Sequence, residues 1–457
     1  MKIRTLIHRV PATRSALGIA SALALSTLSP PSFALAPGED GAHVTIPVSG
    51  LPDIAYAVAV DPDGGIVLAG GSGTTSSALV RLTRSGGIDG AFGSGGIAIN
   101  DLAAGQGDFL YALVRTDDGH YVGCGTAFAS TTGADFVVAR FNANGSLDMS
   151  FDGVGYAATP FSVSGSGGSL FDQCNAVAVQ SDGMIVSAGL TYETGPSTVA
   201  LTRHTMSGAL DSGFGSGGKV DINASSSAGG NSEARAVLVL PDGKILVAGF
   251  AYNSGHGALM VMRLQSDGTP DSTFGSAGIT RTSVGTSEDI ANAIVRLPDG
   301  RFVVAGSSIF TDNRRDFVLA RYAENGVLDP TFGSGGIVTT PVGPGDDRAY
   351  AISRMPWGRL IVAGSARIST SAAGTDFAVV AYNADGTLDR YFGDAGIRTI
   401  NLSDFDDVAY GIAPDIDGQH FWAVGTGSPD ATQDFTAVEL GLPDTIFRHG
   451  FDTTTAP

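Results

Sequence analysis

Ala55-Tyr56-Ala57-Val58-Ala59-Val60, then Pro62-Asp63-Gly64, then Ile66-Val67-Leu68-Ala69-Gly70 read as an apolar strand, a tight turn and a second apolar strand. Proline pre-sets its own φ and glycine supplies a positive one, so Pro-Asp-Gly between two such runs folds the chain back on itself. The same hairpin recurs with turn glycines Gly64, Gly119, Gly183, Gly243, Gly300, Gly358 and Gly418, 55 to 64 residues apart. A second marker, Asp-x-x-Phe, follows each hairpin: Asp89/Phe92, Asp148/Phe151, Asp211/Phe214, Asp271/Phe274, Asp329/Phe332, Asp389/Phe392 and Asp444/Phe447. Two independent markers in one order, seven times each, define an internal repeat of about 59 residues.

Each unit accommodates four strands. In the first, Ala55–Val60 is strand A, Ile66–Gly70 strand B, Ala78–Thr83 strand C and Ile97–Asn100 strand D. Ile88-Asp89-Gly90-Ala91-Phe92-Gly93 turns the chain between C and D. Four strands in a unit of this length predict a propeller blade, and the expected fold is all-β: a seven-bladed β-propeller of four-stranded antiparallel blades. The seventh unit ends soon after Phe447 without a strand D. Ala42-His43-Val44-Thr45-Ile46-Pro47-Val48 resembles the strand D stretches Ile337-Val338-Thr339-Thr340-Pro341-Val342 and Ile397-Arg398-Thr399-Ile400. The N-terminal strand is therefore expected to complete the last blade, closing the ring and hiding two sheet edges.

Composition agrees with a turn-rich β protein. Of 457 residues 65 are glycine and 16% are charged, against typical values of about 7% and 25%. Lys2, Arg4, Arg9 and Arg14, followed by the short apolar run Ala16 to Leu28 and by Ser32 and Ala34 at small-x-small spacing, predict a secretory signal over 1–34 cleaved after Ala34. Residues 35–40 are then a short linker, 41–452 a single propeller domain and 453–457 a disordered tail, and the mature protein is expected to be a monomer in the periplasm or secreted. The net charge of −19 becomes more negative once those four basic residues leave. Only Lys219 and Lys244 remain as lysines. Nucleic-acid binding, which needs clustered cations against phosphate, is excluded as an expectation, as is a membrane span.

Leu240-Pro241-Asp242-Gly243-Lys244-Ile245-Leu246-Val247-Ala248-Gly249, and Asp316-Phe317-Val318-Leu319-Ala320-Arg321-Tyr322 running on to Gly326-Val327-Leu328-Asp329-Pro330-Thr331-Phe332-Gly333, resemble the bacterial delta-60 repeat. The resemblance extends over nearly all of 41–447. It implies a repeat β fold on exported bacterial proteins and no established activity. Trp357 replaces the turn Asp in unit six, Ala381 replaces the Arg of Arg81, Arg140, Arg203, Arg263 and Arg321, and Asp152 follows Phe151 where glycine is usual. The tail Asp444 to Asp452 resembles a short C-terminal ending of secreted gammaproteobacterial proteins.

Alternating strand direction puts the A–B and C–D turns on one face and the B–C and D–A loops on the other. The second set varies, as in Ser162–Phe171, Asn223–Ala234 and Ser307–Arg315. Variable loops on a rigid scaffold are where binding resides, so the expected function is a non-catalytic binding or interaction propeller taking a protein or glycan on this face. Eleven residues before the turn glycine, opening strand A, stand Asp53, Asp108, Asp172, Asp289, Asp347 and Asp407, with Ser232 in unit four. One reading makes them backbone braces. The other makes them an acidic collar at the channel mouth holding Ca²⁺, the basis of an alternative metal-dependent hydrolase or lyase. A purely structural surface-layer role is a third option. The Asp-x-x-Phe residues read as structural, with Phe filling the gap between blades and the strand C arginine pairing an acid. Asp-x-Asp-Gly at Asp61–Gly64 and Asp415–Gly418 lacks the other calcium-loop ligands and reads as a turn. No zinc pattern, nucleophile elbow or phosphate loop is present, so no catalytic residue is assigned. Cys124 and Cys174 fall at positions that are mostly Ala elsewhere, in neighbouring blades. Sheets stacked ~10 Å apart would keep them beyond the ~7 Å Cα limit of a disulfide, which predicts two buried free thiols.

Overall fold

The computed structural model describes residues 32–33 and 41–442, apart from 74, 103–106, 130–132, 162–170, 193–194, 370–373 and 428–431. The signal segment (bar Ser32–Phe33), the Asp444/Phe447 pair, the C-terminal tail and most of the Ser162–Phe171 loop lie outside the described residues.

Among the described residues the regular structure is all strand apart from one short 3-10 turn. Unit one pairs Asp53–Val60, Ile66–Ser72, Ser76–Leu82 and Ile97–Asn100 antiparallel in that order. Units four, five and six repeat the same four-stranded sheet. Units two and three differ from the expected separate sheets. One parallel pair, Phe171 opposite Ala134, joins them into a single eight-stranded sheet. In the last unit His43–Ile46 lies antiparallel to Asp434–Gly441, with His43 opposite Val438, and Ser32–Phe33 adds a further short strand outside it. Among the described residues no helix is long and apolar enough to cross a membrane.

Burial explains the composition of each strand. Strands B and C are buried residue after residue, as Ile66–Ser72 shows, while strand A alternates. Middle strands covered on both faces read as continuous apolar runs. Every sheet shares a core with its sequence neighbours. Val44, Ile46, Trp422, Val424 and Phe435 of the last sheet pack with Ala55, Ile66, Leu68 and Val80 of the first.

The second repeat marker latches one sheet to the next. Asp271 caps its turn by accepting the Thr273 N–H at 3.1 Å and binds the strand C arginine Arg263 at 2.8 Å. Arg263 also donates to Glu324 O of the following unit at 2.6 Å and lies over Phe274, 4.8 Å from its centroid. Phe274 is fully buried beneath Gly326 of that unit, where a Cβ would collide with the phenyl ring. Arg321, Asp329, Phe332 and Gly386 repeat the arrangement one unit on, and Phe92 lies beneath Gly145 in the same way. Burial of a phenylalanine contributes about 1.5–3 kcal/mol, so each latch combines apolar and charge-assisted bonding.

The latch is not uniform. At Phe214 the ring is fully buried beneath Gly268 with Arg203 over it at 4.7 Å, but Gly213 stands where Thr273 and Thr331 stand elsewhere. Asp211 Oδ1 therefore accepts the Gly213 N–H, at 3.0 Å, without the hydroxyl that Asp271 also accepts at 2.7 Å, while its Oδ2 takes Arg203 Nε at 2.7 Å. At Phe392 there is no strand C arginine, because unit six has Ala381 there, as its sequence shows. The 2% exposed Phe392 packs against Phe421 of unit seven, ring centroids 6.1 Å apart. The charge for its turn comes from the adjacent strand: Arg359 lies 3.2 Å from Asp389. In unit two, Asp152 after Phe151 adopts φ +50 like the glycines at its equivalents, and donates its N–H to Ser207 O at 2.7 Å. Trp357 takes φ +62 in a short 3-10 turn, Pro356–Gly358, and is 72% exposed.

The free-thiol expectation is wrong. Cys124 and Cys174 form a disulfide, with Cα atoms 5.7 Å apart. The ~10 Å spacing holds where large side chains separate two sheets. These cysteines sit near the inner edges, where Ala69 and Ala55, or Ala188 and Ala234, occupy the equivalent positions. Small side chains there let neighbouring backbones close within bonding range. The crosslink spans 50 residues, a loop whose closure stabilises by about 4 kcal/mol in the chain-entropy account. Iodoacetamide should add no mass to the guanidine-unfolded, unreduced protein and two adducts after reduction, with a lower melting temperature for the reduced form. Two adducts without reductant would show the crosslink to be absent.

Candidate functional site

The six strand A aspartates are buried, none more than 1% exposed. Each turns back on the loop that precedes it. Asp53 accepts the Val48 and Ser49 N–H at 2.9 and 2.7 Å, and Asp289 those of Val284 and Gly285 at 2.7 and 2.8 Å. Asp347 accepts from Val342 and Gly343, and Asp407 from Leu402 and Ser403. Asp108 takes the Leu102 N–H and Asp172 the Phe161 N–H, both at 2.8 Å. Ser232, the exception in sequence, does the same for Ala224 with its hydroxyl. This is the bracing geometry. The six are not brought together: among the described residues the one group of three or more possible ligand atoms within 4.8 Å is Asp415, Asp417 and His420. That group belongs to the last A–B turn, closed by Gly418 N–H to Asp415 O at 3.0 Å. Arg84 of unit one reaches Asp415 and Asp417 at 3.6 and 3.8 Å. Asp417 in turn bonds His420 Nδ1 at 2.7 Å and raises its pKa.

What strand A aims inward is a different set, absent from the sequence reading. In every unit the A–B ladder slips by one residue: between Ala55 and Ala57, Leu110 and Ala112, Cys174 and Ala176, Ala234 and Ala236, Ala291 and Ala293, Ala349 and Ala351, and Ala409 and Gly411. A bulge re-aims the extra residue. Strand B makes room for it with the glycine of its Ala-Gly ending. A Cβ on Gly70 would lie 1.8 Å from Ile54 O, and the equivalents in the other units are as tight. The bulged residues are Tyr56, Tyr111, Asn175, Arg235, Asn292, Tyr350 and Tyr410, all half-buried.

Four of them form a continuous aromatic row. Ring centroids are 5.0 Å apart for Tyr111 and Tyr56, 5.1 Å for Tyr56 and Tyr410, and 5.0 Å for Tyr410 and Tyr350. A side chain wedged between two sheets meets one neighbour; Tyr56 meets the tyrosines of both, so it projects from the inner edge where the sheets converge. The other three are polar. Asn175 Nδ2 donates to Ala234 O and Asn292 Nδ2 to Ala349 O, each at 2.8 Å and each from one unit to the next. Arg235 pairs with Glu233 at 2.8 Å, and its Nε is buried without a partner. Burial pushes the Tyr111 phenol up to about 12, and Tyr56 and Tyr410 upward as well, so all three remain protonated donors. The signal was present at the eighth residue before each turn glycine, but a pattern that changes residue type halfway round does not register as a repeat.

The rim is divided in the same way. Leu51, Ile368 and Phe405 are exposed on the B–C and D–A loops of units one, six and seven, and Phe128 at the end of strand B in unit two, the units that carry the tyrosines. On the opposite face a groove of about 660 Å³ opens between units three and four, with Gln180, Asp182, Arg203, Pro241 and Asp267 among its lining.

Residues 116–151, 180–214, 240–274, 297–332 and 358–392 match the family model described as a domain of unknown function (DUF5122) beta-propeller. Each match runs from an A–B turn to the phenylalanine of the latch. These five segments are therefore β-propeller repeats. No curated protein matches it. Among solved structures it is similar to a protein of unknown function from Dyadobacter fermentans, at 13% identity and TM-score 0.43 over 88% of this chain and 98% of that one. Sqt1 from Chaetomium thermophilum gives 13% and 0.43 over 86% and 98%. The PQQ-bound aldose sugar dehydrogenase from Streptomyces coelicolor gives 13% and 0.41 over 89% and 99%. Nothing about function follows from likenesses this distant.

Burial outweighs the bracing bonds for three of the aspartates and raises Asp108, Asp347 and Asp407 to about 6. A carboxyl raised above its unfolded value binds its proton more tightly in the fold. Its favourable share of stability is present below about pH 4 and is lost as pH rises through 6. Asn keeps one oxygen for the backbone N–H groups but cannot ionise. The melting temperature of wild type should therefore fall more between pH 5 and pH 7.5 than that of Asp347→Asn/Asp407→Asn. Equal falls would remove these two groups as the cause.

Proposed function

We propose that this chain is an exported, non-catalytic binding propeller: seven blades closed into one ring, with the ligand or partner taken at the centre of the B–C/D–A face. The pairing of His43–Ile46 with Asp434–Gly441, the core shared by the first and last sheets and the Tyr56–Tyr410 contact support closure. Export is supported by the basic and apolar N-terminal run and by a disulfide, which persists in oxidising compartments.

The observation that carries the binding reading is the collar of bulged side chains. Both faces of each inner strand's sheet are covered by neighbouring sheets, so the accessible surface of seven half-buried residues opens on the axis. A row of aromatic rings flanked by a few convergent polar groups has the chemistry of a ligand site. Strand-opening aspartates occupied by backbone N–H groups give the metal-dependent alternative no comparable support.

Thermal shift decides between the readings. Wild type should be stabilised by at least one organic compound in a panel of sugars, amino acids and nucleosides, and Tyr56→Ala/Tyr410→Ala should lose that response. Stabilisation by Ca²⁺ alone, reversed by EDTA and unchanged in the tyrosine variant, would overturn the proposal in favour of the metal site.

A further inference from the structure

Resting on that reading of the collar, we infer that its ligand is a neutral sugar residue, the terminal unit of a glycan or glycoside, seated on the tyrosine row with its hydroxyls toward Arg235, Asn175 and Asn292.

Hydrogen-bonding capacity points this way. The fully buried tyrosines of the protein pair their hydroxyls: Tyr322 with Thr282 at 2.8 Å, Tyr382 with Thr340 at 2.9 Å and Tyr121 with Asp61 at 2.8 Å. Among the described residues, no protein group takes the hydroxyls of Tyr56, Tyr111, Tyr350 or Tyr410. A phenol both donates and accepts, and so does a sugar hydroxyl. Across the axis, each asparagine spends its N–H on a neighbouring carbonyl; Asn292 keeps Oδ1 as an acceptor, Asn175 Oδ1 already takes Gln173 Nε2 at 2.6 Å and has one lone pair left, and Arg235 Nε is an unspent buried donor. The set offers donors and acceptors in mixture rather than one kind alone.

Charge selects against the other ligand classes. The net charge of −19 opposes approach of a polyanion. Tyrosine faces attract cations, but Arg235 stands on the same collar and Glu233 is already paired to it. A neutral ligand meets neither objection. Its apolar C–H face would lie on the phenol rings.

The test is a glycan array probed with the wild-type protein, followed by calorimetric titration of the best monosaccharide into wild type, Tyr56→Phe and Tyr410→Phe. The Phe variants keep the ring and the fold and delete one hydroxyl. The expected result is binding to neutral glycans, weakened about three- to tenfold by each deletion, as loss of one neutral hydrogen bond gives. Binding of a charged or non-sugar compound from the panel above, lost in Tyr56→Ala/Tyr410→Ala, with none to neutral glycans, would overturn the sugar assignment and leave the binding site standing. Glycan binding unchanged in every tyrosine variant would overturn both.

Discussion

A carbonyl oxygen and a missing methyl group meet at the inner edge of every sheet. Strand A bulges by one residue, the oxygen before the bulge turns toward strand B, and only glycine lets strand B stay at ladder distance: a Cβ on Gly70 would lie 1.8 Å from Ile54 O. From this one constraint follow the glycine that strand B places opposite the bulge in every unit and the inward direction of Tyr56 and its six counterparts. It also explains why Cys124 and Cys174 can bond. Positions held to alanine elsewhere bring neighbouring backbones to 5.7 Å when both become cysteine.

The outer half of each unit is held by different chemistry. There the Asp-x-x-Phe turn, the strand C arginine and the next unit's turn glycine form a latch whose parts come from two units. The charge can be supplied from another strand, as Arg359 does for Asp389 beside Phe392 in unit six. The turn hydroxyl can be dropped, as Gly213 shows beside Phe214. The phenylalanine cannot be so supplied, because it fills the space between two sheets. A repeat secured this way at both radii leaves the B–C and D–A loops free of structural duty, and the exposed Leu51, Ile368 and Phe405 lie there.

Strand order within a unit, turn positions and the Asp-x-x-Phe marker were legible in the sequence because each recurs along the chain and each has a local physical cause. Two things were not. The disulfide depends on how closely two inner edges approach, which a generic sheet spacing misstates. The collar depends on bulges, which shift side-chain direction without a residue type of their own. The strand A aspartates drew attention by recurring, and recurrence marked them as braces. The bulged residue changes from tyrosine to asparagine and arginine between units, and a position that changes type in this way does not register as a repeat.

The most direct measurement of the central constraint is the thermal stability of Gly70→Ala beside Gly90→Ala. Gly90 has open space around its Cβ direction and an ordinary φ, whereas Gly70 faces a backbone oxygen that cannot move without unmaking the bulge. Overpacking costs about 1–3 kcal/mol. The account predicts a fall of several degrees in melting temperature for Gly70→Ala and a change within about one degree for Gly90→Ala. Equal behaviour of the two variants would contradict it.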